Sequence, residues 1–230
     1  MGAKPFRIIP CAEWGARPPK SATIPTGRPV RALFHHTAGH ALGSTDGESL
    51  AEAKAYCRSI QNYHMDTQGW NDSGQNFTVT RNGYIFEGRH GSLAACKAGK
   101  MVLSAHCPGQ NDQPGVEIEH LGPEAMTQIQ YEAAVWLFAQ LCTWGGFKEI
   151  KGHRDFFATS CPAELYPVLP QFRKDVAKEL IPPKPKEPRW RFTVIERDGK
   201  QTKGSTRTPR VTFDAQLARK PSSIYYEPLD

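Results

Sequence analysis

Hydrophobic positions along this 230-residue chain fall first into short runs and later into helical stripes. Arg31-Ala32-Leu33-Phe34-His35-His36 is a mostly apolar run that predicts a buried strand. Phe77-Thr78-Val79-Thr80 and Tyr84-Ile85-Phe86-Glu87 predict paired strands joined at Arg81-Asn82-Gly83, because Asn-Gly tolerates the backbone of a tight hairpin turn. Gly115-Val116-Glu117-Ile118-Glu119 predicts another strand. Helical spacing appears at Leu50, Ala53, Cys57 and Ile60, behind a capping box of Ser49 and Glu52. It returns at Ile129, Ala133, Trp136, Leu137 and Leu141, between a second capping box (Thr127, Gln130) and Gly145-Gly146. A third helix, with Leu169, Phe172, Val176 and Leu180 on one face, opens near Pro170. Residues 5–30, rich in Pro and Gly, read as an extended, loop-like entry, and a Gly/Ser/Thr loop follows the His35-His36 strand.

The pattern changes after residue 180. Pro182-Pro183-Lys184-Pro185-Lys186-Glu187-Pro188 reads as a stiff polyproline linker. Beyond it Trp190, Phe192 and Val194 alternate with Arg191 and Thr193, and Asp198-Gly199 marks a turn, which predicts a small β-like module or tail. The expected organisation is therefore a main domain over 1–180, a linker over 181–188 and a basic module over 189–230.

Charge sharpens that division. Residues 181–230 hold eleven Lys/Arg against six Asp/Glu, whereas residues 1–180 hold 18 against 17. A near-neutral body with a basic tail points to an anionic partner, and nucleic acid, anionic lipid and bacterial wall polymers all qualify. The tail has no recognisable nucleic-acid motif, and its basic residues are mixed with acids, so nucleic acid is set aside. No apolar stretch has the length of a membrane span or of a signal-peptide core, so synthesis in the cytoplasm without membrane insertion is expected. Six cysteines without a CxxC pair are too few for a disulfide scaffold; Cys96 and Cys107 flank a short Gly-containing turn and could pair in an oxidising exterior, reduced thiols being the alternative.

Three places concentrate chemistry. His35-His36 ends the first strand, and His153-Arg154-Asp155 precedes Thr159-Ser160-Cys161-Pro162. Two imidazoles and a thiolate are a donor set that zinc prefers, with a fourth position left for water, although the spacing alone leaves a structural role open for each. Glu117 and Glu119, two apart on a strand, share one face of it, which suggests a lined pocket or an exposed sheet face.

Six segments then occur in order: Trp14-Gly15-Ala16-Arg17, Leu33-Phe34-His35-His36-Thr37-Ala38, Ile60-Gln61-Asn62-Tyr63-His64-Met65-Asp66, Asn76-Phe77, Gly83-Tyr84-Ile85-Phe86-Glu87-Gly88-Arg89 and Gly152-His153-Arg154-Asp155. Together they resemble the peptidoglycan recognition protein and type-2 N-acetylmuramoyl-L-alanine amidase family over about residues 7–180. The resemblance implies an α/β fold, a central mixed sheet with flanking helices, and a groove with one Zn2+ held by His35, His153 and Cys161. Members that only bind peptidoglycan often lack this Cys, so its presence implies an enzyme. Many family amidases carry a Tyr directly before the Asn/His-Phe pair, where this chain has Gln75. A branch resembling bacterial cytoplasmic recycling amidases lacks that Tyr and uses a Glu on the Gly-Ile-Glu-Leu-Glu strand, which is Glu117 here. A two-Cys loop disulfide common in the family is absent, since only Cys57 is kept.

The implied reaction is hydrolysis of the lactyl-amide bond between N-acetylmuramic acid and L-alanine in bacterial peptidoglycan. Glu117 is the expected general base and Thr159 the expected donor to the developing oxyanion. Trp14, Asn76 and Arg89 are candidate sugar or peptide contacts, each with a packing or turn role as the alternative, and His106 could line the groove or serve structurally. A monomeric phage endolysin, acting on the wall after release and meeting anionic wall polymers through its tail, is the expected biology. A non-catalytic peptidoglycan-binding protein is the rival reading.

Overall fold

The computed structural model describes residues 6–39, 49–180, 189–195, 197–206 and 223–229. Contacts divide the chain into units 1–181 and 182–230, each described by itself.

The first unit is built on a six-stranded sheet. Its elements run β1 (Ile8–Ile9), α1 (Cys11–Trp14), β2 (Pro25–Thr26), β3 (Arg31–His36), α2 (Leu50–Asn62), β4 (Phe77–Val79), β5 (Ile85–Glu87), α3 (Ser92–Lys97), β6 (Met101–Val102), β7 (Gly115–Ile118), α4 (Gln128–Gly145), β8 (Glu149–Gly152) and α5 (Leu169–Glu179). The strand order is β1-β5-β4-β7-β3-β8, and β2 pairs with β6 in a separate ribbon. Only the β4–β5 hairpin is antiparallel; the four other neighbouring pairs are parallel, so the sheet is mixed. Gly83 at the hairpin sits at φ +75°, the left-handed region that the Asn-Gly dipeptide anticipates.

Adjacent residues on each strand feed opposite faces. Ile8, Phe34, Ile85, Val116 and Ile118 join the larger apolar cluster with α4 and α5, whereas Ile9 and Phe86 join Cys11, Trp14, Ala53 and Cys57 beneath α1 and α2. On the first side Phe34, Phe138 and Phe172 form a three-ring contact, with centroids 5.1–5.6 Å apart, which ties β3 to α4 and α5. β3 is thus fixed from behind, and its alternate residues, His35 first, face the other way.

Three local expectations need correction. The entry over 5–30 is not one extended stretch: it contributes β1 to the sheet edge and the short α1, whose Trp14 is fully buried. Thr127 caps α4 by accepting from the Gln130 amide, but Gln130 does not close the box; its side-chain amide donates instead to the carbonyls of Glu119 and Val79. Glu119 does not line a pocket beside Glu117. It is wholly buried and its carboxylate accepts from the Arg81 amide, bracing the hairpin. The Ser49–Glu52 box forms in full.

In the second unit β9 (Arg189–Ile195) is central, flanked antiparallel by β10 (Gln201–Thr206) and β11 (Ser223–Leu229). In register, Phe192 is the Cα partner of Gly204 on β10 and of Tyr226 on β11, and the buried Val194 is the partner of Thr202 and Ile224. The polyproline linker and residues 40–48 of the Gly/Ser/Thr loop lie outside the described residues. No described helix is long and apolar enough to cross a membrane.

Candidate metal centre

Three neighbouring parallel strands deliver the site from their carboxyl ends, the edge at which open α/β sheets place ligands. His35 is the penultimate residue of β3, and Glu117 is its Cα partner on β7. On the other side Phe34 pairs with Gly152, so the chain leaving β8 sets His153 beside His35, with ring centroids 4.5 Å apart. Gly152 is required there, because a Cβ would lie 2.9 Å from the Tyr166 ring.

Cys161 is brought in by the loop after β8. Its carbonyl accepts from the Arg154 amide at 3.1 Å, and the Arg154 guanidinium, lying over the Tyr166 ring, donates to the Ser160 carbonyl. Asp155 ties the loop back by accepting from the Gly152 amide and from the Tyr166 hydroxyl. The Gly-His-Arg-Asp segment therefore supplies one candidate ligand and clamps the loop carrying another. Cys161 Sγ lies 3.8 Å from His35 Nδ1 and receives the His36 amide at 3.4 Å.

One donor atom from each of His35, His153 and Cys161 lies within 4.8 Å of the others. Tetrahedral zinc with these donors needs ligand separations of about 3.5 Å, so the cluster is close to the required size. His153 Nε2 is buried and has no hydrogen-bond partner among the described residues, which leaves a donor nitrogen free. The residues present fit zinc.

Burial sets the electrostatics. It holds His35 well below the ordinary histidine range, with neighbouring His106 adding to the effect, and it also lowers His153. Both offer neutral lone pairs near pH 7. Burial pushes the Cys161 thiol up to about 12 and the Glu117 carboxyl up to about 8, so in the metal-free chain both hold their protons. No described residue donates a hydrogen bond to the Glu117 carboxyl, whereas Thr159 Oγ1 accepts from the Cys161 amide at 3.2 Å and keeps its own hydrogen to donate.

Other sequence candidates sit elsewhere. Trp14 is buried and donates through its indole to the Glu87 carbonyl. Asn76 bridges the Gly115 amide and Ser92 Oγ, and Arg89, also buried, donates to the Ser73 carbonyl. All three are buried and hydrogen-bonded within the framework. His106 is buried next to His35, its Nδ1 3.0 Å from His35 Nε2. Gln75 is buried with its amide on Thr78 Oγ1. Sequence reading missed Phe157, which stacks on His153 at 5.8 Å and is 47% exposed; an aromatic beside a ligand histidine was the available signal. All six cysteines are free and buried, Cys96 against the Met101 sulfur.

Parallel strands presenting two imidazoles, a thiol and a carboxyl on the neighbouring strand form a site with the donors to hold a metal ion. Residues 26–164 match the N-acetylmuramoyl-L-alanine amidase family, Amidase_2, and the chain belongs to that family of peptidoglycan amidases and recognition proteins. It is 32% identical to peptidoglycan-recognition protein SC2 of Drosophila simulans over 161 residues, covering 67% of this chain and 79% of that protein. It is 31% identical to the N-acetylmuramoyl-L-alanine amidase of Sus scrofa over 182 residues, covering 74% of this chain and 28% of that protein. Among solved structures, the ectodomain complex of peptidoglycan recognition proteins LCa and LCx with bound tracheal cytotoxin superposes with a TM-score of 0.61 at 29% identity, over 71% of this chain and 95% of that one.

Proposed function

We propose that this chain is a zinc-dependent N-acetylmuramoyl-L-alanine amidase, which hydrolyses the lactyl-amide bond between N-acetylmuramic acid and L-alanine. The observation that carries this reading is the convergence of His35, His153 and Cys161 with the Glu117 carboxyl on the adjoining strand.

Zinc held by His35, His153 and Cys161 would supply Lewis acidity to a nucleophilic water and to the scissile carbonyl. Glu117 takes the proton of the attacking water and returns it to the departing alanine nitrogen. Thr159 donates its free hydroxyl hydrogen to the oxygen on which negative charge develops. Phe157 offers an exposed aromatic face next to His153, suited to the apolar face of a sugar ring.

The basic C-terminal unit supports a phage endolysin role, with the sheet meeting anionic wall polymers and the amidase unit cutting peptidoglycan after release from the cytoplasm. Mass spectrometry of digested peptidoglycan tests the reaction: stem peptides with free amino-terminal L-alanine are expected, and cleavage at any other bond refutes it. A second reading, recognition without cleavage, draws on the relatives named as recognition proteins. Retained wall binding with no released stem peptides at full zinc loading would favour it.

A further inference from the structure

His106 is buried, and both its ring nitrogens are engaged. Nε2 lies 2.9 Å from the Gln113 carbonyl, and Nδ1 lies 3.0 Å from His35 Nε2. A carbonyl oxygen only accepts, so His106 Nε2 must carry the hydrogen. In a neutral imidazole the other nitrogen is then an acceptor, and the hydrogen between the two rings belongs to His35 Nε2. That leaves His35 Nδ1 unprotonated, and Nδ1 is the atom 3.8 Å from Cys161 Sγ.

We propose that His106 is a positioning residue that fixes the tautomer and the ring orientation of His35, presenting the Nδ1 lone pair to the metal. Its bearing on metal binding rests on the zinc reading above; the hydrogen-bond assignment does not. Ligand histidines are commonly oriented through their second nitrogen, and loss of such a partner costs about 10–100-fold in metal affinity.

The surroundings are built for this. The His106 ring lies on Gly115, where any Cβ would overlap it, 2.8 Å from Nδ1. Gly115 is held by Asn76, whose Oδ1 accepts its amide. The segment carrying His106 is pinned on both sides, by Ala105 N to the Gly74 carbonyl and by Cys107 N to Asn111 Oδ1. Gln113, the residue that locks His106, also accepts through Oε1 from the amides of Val30 and Arg31. The residue that sets the His106 proton therefore also holds the start of the strand bearing His35.

Long-range nitrogen–proton correlation of the imidazoles in the metal-free full chain reads the tautomer directly. His35 is expected as the Nε2–H form, and a wild-type His35 with its hydrogen on Nδ1 overturns the proposal without any mutant. For the consequence, zinc affinity is measured by chelator competition and the cobalt-substituted protein by its visible spectrum. His106→Leu is expected to weaken zinc about 10–100-fold and to alter the cobalt spectrum. His106→Gln, which can offer an oxygen to His35 and an N–H to Gln113, is expected to recover most of the affinity. Gly115→Ala, which displaces the ring without removing it, is expected to resemble His106→Leu. A folded His106→Leu protein with wild-type zinc affinity overturns the positioning role. A wild-type chain that shows the Nε2–H tautomer but takes up no zinc refutes the zinc reading instead, while upholding the hydrogen-bonded pair.

Discussion

His35 and Glu117 are Cα partners on adjacent parallel strands, and both lie on the sheet face opposite Phe34, Val116 and Ile118. A candidate ligand and the candidate base are thus held in register by backbone hydrogen bonds. Glu117→Gln is expected to keep fold and zinc while losing about two to four orders of magnitude in rate. Glu119→Gln has a different expected signature: weaker folding with little change in turnover per folded molecule, because Glu119 braces the Arg81 amide in the core. Near-wild-type turnover of Glu117→Gln on purified walls would remove it as the base.

Glu117 also predicts a pH effect in the metal-free chain. Burial raises its pKa to about 8, so the folded state favours the protonated form. The stability gained from holding that proton is fully present below the unfolded value of about 4.3 and is lost as pH rises through about 8. Glu117→Gln carries no such loss. Urea unfolding with chelator present should therefore show the variant gaining on wild type between about pH 4.3 and 8. Parallel pH profiles would contradict the burial of this carboxyl.

Metal binding should carry a proton signature as well. Purified chain is expected to hold about one zinc, and His35→Ala, His153→Ala or Cys161→Ala to lose metal and activity together. Because the Cys161 thiol sits at about 12 without metal, loading must expel its proton, and affinity should rise with pH. Calorimetry in buffers of different ionisation enthalpy counts that proton. Full activity in Cys161→Ala would defeat the ligand assignment.

Asn76 separates a framework role from a substrate contact. Truncation to Ala strands the buried Gly115 amide and removes the partner of Ser92 Oγ, at a cost of about 1–3 kcal/mol for an unsatisfied buried group. The melting midpoint should fall while KM stays unchanged in the protein that remains folded. A raised KM at unchanged stability would restore Asn76 to the groove.

The strands and helices were legible because their signals are local: an Asn-Gly turn, a Ser-x-x-Glu cap, and apolar spacing of two or nearly four. The cluster of candidate ligands was legible through ordered motifs, since His35 lies 126 residues from Cys161 and periodicity cannot connect them. The roles of Trp14, Asn76, Arg89 and His106 were not legible. A polar side chain reads alike in a sequence whether it meets substrate or a buried carbonyl, and only packing separates the two. Gln130 shows the same limit: its spacing from Thr127 is that of a cap, but two carbonyls at the sheet edge compete for its amide and win.

The distance along the chain between His35 and Cys161 has a consequence beyond catalysis. An ion gripped by both would act as a cross-link, closing a loop of 126 residues between β3 and the segment leading into α5. Cross-links of such span restrict the denatured chain, and any ligand specific to the native state adds its own free energy to folding. Chelation should then lower the melting temperature as well as silence the site. A molecule stripped of such an ion would lose rigidity across the whole of the first unit, far from the three side chains that hold it.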